Sequence, residues 1–409
     1  MGRIAIHGVH IWDGRSESRF GDRSVIRVED GHIESIVPEA QAGQIESDVE
    51  VFHYEEPVTL MPGLIDCHVH ITLDPAIFSA TEQLEVSRER VWAGMQQRAL
   101  AMVQAGITTA RDLGAGEWLE ITLRDRIAAG ELPGPRLLCV GQPVTSPKGH
   151  CHFWGGEARG RDQLRAVIER QVAHRADWIK VMATGGVFTK GTDVKKPQFA
   201  EQELAQIVGY AAEHGRSVAA HCHGAAGIQN AFASGIRTVE HCSFAGDDGF
   251  GEDFDPAFVP SMVRESVWVS PTVNAGWKRR QEKDGKPTKF WKRMTTCLQA
   301  MREGGVKFVA STDAGIPGVQ HHQLPEALQV FQRYAGLSCV EALRSATSEA
   351  AMALGIANET GAVEPGLAAD LLVVDGDPTT DLAALQRPQL VLARGRVAYL
   401  ADWDRNESS

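Results

Sequence analysis

The sequence lacks a cysteine framework and lacks long apolar runs. Its seven cysteines form no C-x-x-C pair, and an odd count without such spacing is typical of a reducing compartment. No stretch approaches the roughly 20 apolar residues of a membrane span, and the first residues contain no long apolar signal-peptide core. We therefore expect a cytoplasmic protein that does not enter a membrane.

Positive charge is also scarce. The chain has 41 Lys and Arg against 53 Asp and Glu, a net charge of −12. Proteins that bind phosphate backbones concentrate Lys and Arg, so we expect no nucleic-acid partner and favour a small-molecule substrate. The sequence shows no solenoid repeat and no low-complexity tract. Its 409 residues, 43% of them hydrophobic, are enough for a large globular core.

Both ends of the chain have the residue pattern of a small β-sheet. Apolar and polar positions alternate as in strands, with Gly-containing turns between them, in the segments 4–11, 24–28, 31–37, 369–375 and 389–399. The N-terminal strands read as a small antiparallel unit that is too thin to bury both faces alone. We predict that residues 1–58 and 358–409 together form one small β-sandwich domain.

Between these ends, short apolar runs alternate with amphipathic helical segments. The predicted strands are 64–68, 107–111, 136–141, 178–183, 217–221, 236–240, 267–271 and 306–311. Strands that alternate with helices imply parallel pairing, and eight such units in about 250 residues suggest a closed barrel. We therefore predict an α/β fold in which residues 59–357 form a (β/α)8 TIM-like barrel.

Six side chains that suit a metal ion lie at the ends of these predicted strands. His68 and His70 are two apart, so strand alternation points both imidazoles to one face. Each signal alone has an ordinary alternative: a polar strand end, a lysine that snorkels or is ion-paired, a hydrogen-bonded core histidine, or an aspartate that caps a turn. Their joint occurrence at strand ends favours a metal site made of His68, His70, Lys180, His221, His241 and Asp313.

These motifs together resemble the amidohydrolase superfamily, in its binuclear-metal branch with a carboxylated lysine. The resemblance rests on the run Met61-Pro-Gly-Leu-Ile-Asp-Cys-His-Val-His70, on Lys180 and the two later histidines, and on Ser311-Thr-Asp313. Segments such as 106–114 and 179–187 further resemble the prolidase-like, Xaa-Xaa dipeptidase and ochratoxin-type amide hydrolase subgroup. Deaminases of the superfamily typically lack the strand-four lysine, so its presence argues against deamination.

The resemblance implies a role for each of the six residues. His68, His70 and Asp313 would hold the more buried metal ion, and His221 and His241 the second. Lys180, as N6-carboxylysine, would bridge the two. Nitrogen and oxygen ligands without thiolate suit Zn and allow Mn or Co. A metal-bridging hydroxide would attack the carbonyl carbon, with Asp313 as the catalytic residue that accepts its proton and passes it to the departing amine.

Candidate substrate contacts are assigned from their positions after predicted strands. Arg111 could bind a substrate carboxylate or form an ion pair that braces the barrel mouth, and the two alternatives stay open. The other candidates are His150, His152, His223 and His322. Neither His321 nor His322 aligns to a role in the family. The charged segment 279–287 reads as a solvated loop or as part of a lid at 274–290.

The expected function is hydrolysis of an amide bond in a dipeptide or N-acyl amino acid. The same metal centre would also serve hydrolysis of a lactone, carbamate or phosphotriester, and the sequence does not distinguish these. A third alternative is a metal-free relative that keeps the barrel as a scaffold, which the presence of all six candidate ligands argues against. We also expect a homo-oligomer.

Overall fold

The computed structural model of the chain describes residues 2–44 and 46–401. Its strands are β1 (Arg3–Ile11), β2 (Ser24–Glu29), β3 (His32–Pro38), β4 (Val49–His53), β5 (Val58–Pro62), β6 (Leu64–Val69), β7 (Ile107–Asp112), β8 (Arg136–Cys139), β9 (Ile179–Met182), β10 (Val218–Cys222), β11 (Thr238–His241), β12 (Trp268–Ser270), β13 (Glu282–Lys283), β14 (Lys286–Pro287), β15 (Lys307–Phe308), β16 (Leu371–Asp375), β17 (Pro388–Ala393) and β18 (Arg396–Leu400).

Eleven α-helices lie between the strands of the described residues. They are α1 (Ala80–Glu85), α2 (Arg88–Gln104), α3 (Leu119–Ala128), α4 (Gly160–Ala173), α5 (Glu201–Glu213), α6 (Ala225–Ala233), α7 (Val259–Arg264), α8 (Lys289–Glu303), α9 (Leu324–Ala335), α10 (Cys339–Ser345) and α11 (Ser348–Leu354). Among the helices of residues 2–44 and 46–401, none combines the length and apolar character that crossing a bilayer requires.

Both chain ends contribute to one eight-stranded sheet, in the order β18-β17-β16-β5-β1-β2-β3, with β4 paired to β1. Leu60 of β5 faces Val373 of β16, and Ile6 of β1 faces Ile26 of β2. All four side chains are buried in one apolar cluster drawn from both ends. The shared sheet agrees with the sequence analysis, while its folding as a sandwich domain with the stated limits stays a prediction.

Two details of this sheet differ from the expectation. The N-terminal strands are not purely antiparallel, because β1 pairs in parallel with both β4 and β5. The segment 389–399 is not one strand but a hairpin of β17 and β18. Arg394 and Gly395 at its turn have φ angles of 52° and 69°. Two consecutive left-handed residues make the tight turn that fits the twist of a hairpin.

The middle of the chain forms two parallel sheets covered by helices. β6, β7 and β8 make one, and β9, β10, β11, β12 and β15 make the other. Isolated parallel bridges join them on both sides, between Val144 and Val181 and between Val69 and Ala314. The mixed α/β fold is confirmed, and strands occur at all eight predicted places. Closure into a complete (β/α)8 barrel stays a prediction.

Helix α8 shows why the sequence folds in this way locally. The Thr288 hydroxyl accepts a hydrogen bond from the Trp291 amide at 3.0 Å and so caps the first turn. The buried side chains are Met294, Cys297, Leu298 and Met301. Spacings of three and four residues place all of them on one helix face, which packs against the parallel strands as part of the main apolar cluster.

Candidate active site

The six predicted ligands meet at one edge of the parallel strands. His68 lies in β6, Lys180 in β9, His221 in β10 and His241 at the end of β11, while His70 and Asp313 follow β6 and β15. All six line one cavity of about 510 Å³ and are largely buried. Parallel strands bring their carboxyl ends to the same edge of a sheet, so residues far apart in the chain become neighbours.

The first group consists of His68, His70 and Asp313. The Nε2 atoms of the two histidines are 3.3 Å apart, and Asp313 Oδ1 lies 3.2 Å from His68 Nε2 and 3.4 Å from His70 Nε2. Burial disfavours ionisation of Asp313, but His68 and His70 outweigh it and hold the pKa of the carboxyl well below its usual range. Two imidazole nitrogens and a carboxylate oxygen aimed at one point form a cation-ligating set.

The other ring nitrogens of this first pair are held by hydrogen bonds. His68 Nδ1 donates to Glu240 Oε2 at 3.0 Å, and His70 Nδ1 donates to the Gly114 carbonyl at 3.0 Å. A histidine that donates from Nδ1 keeps the Nε2 lone pair free, and this arrangement fixes both tautomer and ring orientation in metal sites.

The second group consists of His221, His223 and His241, whose candidate ligand atoms all lie within 4.8 Å of one another. Burial lowers the pKa of all three, and that of His223 to about 4, so the imidazoles are neutral near pH 7 and able to ligate. His241 Nδ1 lies 2.9 Å from the Thr272 hydroxyl. His223 therefore belongs to the second candidate group as well as to the cavity wall, whereas the sequence analysis expected it to contact substrate or to orient a ligand.

Lys180 projects from β9 into this site with almost no exposed surface. Its Nζ atom has no hydrogen-bond partner among the described residues. Burial lowers the pKa of the amine to about 8, with Glu240 and Arg111 acting in opposite directions. A buried ammonium without a hydrogen bond is costly, so the site favours either the neutral amine or a modified side chain.

Arg111 does not lie where a substrate contact would require. Its guanidinium is fully buried and donates to the Cys67 carbonyl at 2.8 Å, to Thr238 Oγ1 at 3.0 Å and to Glu240 Oε1 at 2.8 Å. The suggested carboxylate contact is therefore corrected. The structure agrees with the bracing alternative, in which the acidic partner of Arg111 is Glu240.

Glu240 and Asp66 both contact His68, and the sequence analysis missed both. Burial raises the pKa of Asp66 to about 7, against hydrogen bonds from the Thr312 hydroxyl and from the amides of His68 and Thr312. Glu240 joins Arg111 to His68, as described above. For Asp66 the available signal was a carboxylate inside a mainly apolar strand, which is the kind of signal that singled out Lys180.

Backbone strain is concentrated at the strand ends that carry the site. His241, Thr272 and Asp313 have φ angles of 66°, 52° and 59°. A non-glycine residue in the left-handed region costs about 1–3 kcal/mol and persists only where the surroundings enforce it, most often at functional sites. The strain is thus an indication of function that does not depend on the ligand chemistry.

The remaining predicted substrate contacts divide into two sets. His150 and His223 line the cavity, and burial lowers the pKa of His150 to about 3. His152 and His322 lie outside the cavity lining, and His322 is exposed, which argues against a substrate contact for either. His321 is buried, and its Nε2 donates to the His70 carbonyl at 3.1 Å, which gives it a structural contact.

The segment 274–290 forms part of the cavity wall. It begins with the 3₁₀ helix Ala275–Arg280, continues as the β13–β14 hairpin and leads into α8. Asn274, Trp277, Arg279 and Arg280 line the cavity. Closure of this segment as a lid stays a prediction.

Comparison with known proteins agrees with this geometry. The sequence profile of the amidohydrolase family matches residues 59–398. Ochratoxinase from Aspergillus niger is 27% identical over 365 residues, which cover 81% of this chain and 73% of that protein. A crystal structure of a Xaa-Pro dipeptidase with methionine bound in the active site superposes with a TM-score of 0.84 at 26% identity, covering 97% of this chain and 99% of that one. A putative prolidase from Bifidobacterium longum gives 0.78 at 27% identity, covering 97% and 94%.

Proposed function

Because the chain belongs to the amidohydrolase family, we propose that this hydrolase uses two divalent metal ions to cleave the amide bond of a dipeptide or N-acyl amino acid. The observation that carries the proposal is the meeting of two ligating groups in one cavity with the unpartnered Nζ of Lys180. A purely structural role would leave the buried Nζ of Lys180 without compensation.

The residues present fit a pair of cations. His68, His70 and Asp313 would hold one ion, and His221 and His241, with His223 beside them, would hold the other. The imidazoles of the second group are neutral because burial lowers their pKa, and neutral imidazole is the ligating form. Nitrogen and oxygen donors without thiolate favour Zn and allow Mn or Co.

Lys180 would take part as a carbamate. A neutral amine can add CO2 and release one proton to give N6-carboxylysine, an anion with two oxygen donors. Burial of Lys180 favours the neutral amine, and its pKa of about 8 keeps a usable fraction in that form near neutral pH. The carbamate of Lys180 would then help to hold the ions, at a side-chain end whose Nζ has no hydrogen-bond partner among the described residues.

When bound, the cations would supply Lewis acidity, lowering the pKa of a water molecule and polarising the substrate carbonyl. The chain's own residues would move the proton. Asp313 is ionised and lies within 3.4 Å of both first-group imidazoles, so it can accept the proton of the attacking water. It would then deliver that proton to the amine that leaves. His150, which is neutral and lines the cavity, would contact the substrate.

The relatives support an amide substrate. The Xaa-Pro dipeptidase is by name an enzyme of dipeptides, and methionine, an amino acid, occupies its active site. Hydrolysis of a dipeptide or of an N-acyl amino acid releases an amino acid. The methionine in the relative's active site therefore supports an amide substrate of this kind for the present chain.

We further propose that the fold supporting this site is a closed (β/α)8 barrel at residues 59–357, with a small β-sandwich domain from the described parts of residues 1–58 and 358–409. Residues 1, 45 and 402–409 lie outside the described residues. The two isolated bridges between the parallel sheets lie where closure of an eight-stranded barrel would need pairing. Five of the six candidate ligands lie near or just after the carboxyl ends of strands, where such barrels have their active sites, and Lys180 lies inside β9.

The test is a substrate screen of purified protein after metal loading. Dipeptides and N-acyl amino acids are compared with lactones, carbamates and phosphotriesters, with metal content measured on the same sample. The proposal expects about two metal ions per chain and turnover of the amides. Selective turnover of lactones, carbamates or phosphotriesters would overturn the substrate assignment, and protein that binds no metal would overturn the mechanism.

A further inference from the structure

Asp112 is a fully buried carboxylate beside the candidate ligands, and the proposed mechanism gives it no role. It ends β7, and both of its oxygens accept hydrogen bonds from backbone amides, Oδ2 from Ile71 at 2.6 Å and Oδ1 from Gly114 at 3.0 Å. Among the ion pairs of the described residues, none includes Asp112. Burial of a carboxylate costs free energy unless hydrogen bonds compensate, so the two amides are what hold this side chain in place.

The first of these bonds holds the backbone that follows His70. Val69 of β6 lies opposite Asp112 in the parallel pairing of β6 with β7, so the carboxylate can reach the amide of Ile71. The Ile71 carbonyl in turn accepts a hydrogen bond from Arg98 Nε at 2.8 Å. Side chains therefore fix both the amide and the carbonyl of the residue after His70, and this fixes the main chain from which the imidazole projects.

The second bond holds the turn that orients the His70 ring. The side chain of Asp112 closes this turn on the amide of Gly114, whose φ angle of 130° favours glycine. A Cβ at Gly114 would lie 2.4 Å from Pro143 Cγ. The Gly114 carbonyl accepts the hydrogen bond from His70 Nδ1 at 3.0 Å, so the turn sets the direction in which Nε2 of the same ring points.

One carboxylate thus fixes both the backbone that carries His70 and the carbonyl that orients its ring. The other histidine of the first group is held differently, because His68 Nδ1 donates directly to Glu240 Oε2. Asp112→Asn would not preserve the arrangement. Asparagine has one acceptor oxygen, and its NH2 group would face the second amide as a donor against a donor.

We propose that Asp112 is a positioning residue for His70, and that it sets the affinity of the first group (His68, His70 and Asp313) for a divalent cation. Groups that orient a ligating histidine typically contribute about 10- to 100-fold in metal affinity. Because Asp112 acts through the backbone around His70, the second group should not respond to its loss. This inference rests on the two-metal mechanism proposed above and assigns the orientation of one ligand to one side chain.

The test measures the zinc affinity of the full chain, freed of metal, in competition with a chromophoric chelator. Two backgrounds separate the two groups, because His241→Asn removes a ligand of the second group and His70→Asn a ligand of the first. In the His241→Asn background, Asp112→Asn should lower zinc affinity by about 10- to 100-fold. In the His70→Asn background the same change should lower it by less than about threefold, because the ring that Asp112 orients is absent.

Gly114→Ala is a second route to the same result, and it keeps the test available should Asp112→Asn fail to fold. It displaces the carbonyl that accepts from His70 and leaves Asp112 unaltered, so its effect should depend on the background in the same way. Asp370→Asn is the matched control. This buried aspartate accepts the Arg394 amide at 2.8 Å beside β16, away from the ligands, and its replacement should leave zinc affinity near wild type.

Three results would count against the inference or its premise. An unchanged affinity in the His241→Asn background, or an equal loss in both backgrounds, would overturn the inference and leave the two-metal mechanism standing. A loss in Asp370→Asn as large as that in Asp112→Asn would also overturn it, since general destabilisation would then explain the effect. A wild-type chain that binds no divalent metal would instead overturn the proposed function, and this inference with it.

Discussion

Activation by CO2 should follow the ionisation of Lys180. Its pKa is lowered from 10.5 to about 8 by burial. At pH 7 about 10% of an amine with a pKa of 8 is neutral, against about 0.03% for an ordinary lysine, a gain of about 300-fold in the form that reacts with CO2. Because the folded-state pKa is depressed, the neutral fraction rises about tenfold per pH unit below pH 8 and levels off above it.

The assay starts from protein freed of metal by a chelator and of carbamate by a period at low pH. It is diluted into buffers from about pH 6 to 9 at fixed dissolved CO2 with added Zn, and the rate of activity recovery is measured. The rate should rise with pH and reach half of its plateau near the Lys180 pKa of about 8. Carbon-13 NMR with labelled bicarbonate should show a carbamate that is absent in Lys180→Met and present in Lys190→Met, which alters an exposed lysine nearby.

Two results would refute this reasoning. If activity recovers at the same rate with and without CO2 at a constant metal concentration, no carbamate is needed. A half-maximal rate near the ordinary lysine pKa of 10.5 would show that burial does not shift this amine.

Three further changes test other parts of the site. Glu240→Gln removes the charge that pairs with Arg111 at 2.8 Å and leaves the buried guanidinium without a counter-ion. The free energy of unfolding in urea should therefore fall by about 3–5 kcal/mol. Adding Arg111→Met should restore part of that loss. Gly186→Ala would place a Cβ 2.4 Å from His150 Nε2, so KM should rise roughly tenfold as the ring is displaced, while Gly209→Ala, with open space at its Cβ, should not change KM. Asp313→Asn should lower kcat by about 10²–10⁴ through loss of the proton acceptor, and undiminished kcat would remove Asp313 from that role.

The positions of the candidate ligands could be predicted because they depend on local rules. His68 and His70 share a face by strand alternation, and buried runs followed by a polar residue mark strand ends. The same rules located all eight parallel strands and the segments at both chain ends that join in one sheet. These features need only a few neighbouring residues to be recognised.

What the sequence analysis missed depends on contacts between distant segments. Arg111 and Glu240 are 129 residues apart, and nothing near either one in the chain shows that they pair. Arg279 and Arg280 belong to a strongly charged stretch that reads as solvent-exposed, and the packing of Trp277 against Tyr334 brings this stretch to the cavity. The parallel pairing of β1 with β4 and β5 likewise depends on tertiary contacts, because strand propensity predicts a strand but not its partner.

The most direct test of the central claim is anomalous diffraction from crystals of the metal-loaded protein grown with bicarbonate. The account predicts two metal peaks, one beside His68, His70 and Asp313 and the other beside His221 and His241, with a carboxylated Lys180 contacting both. A single ion, or an unmodified lysine amine turned away from the histidines, would contradict it.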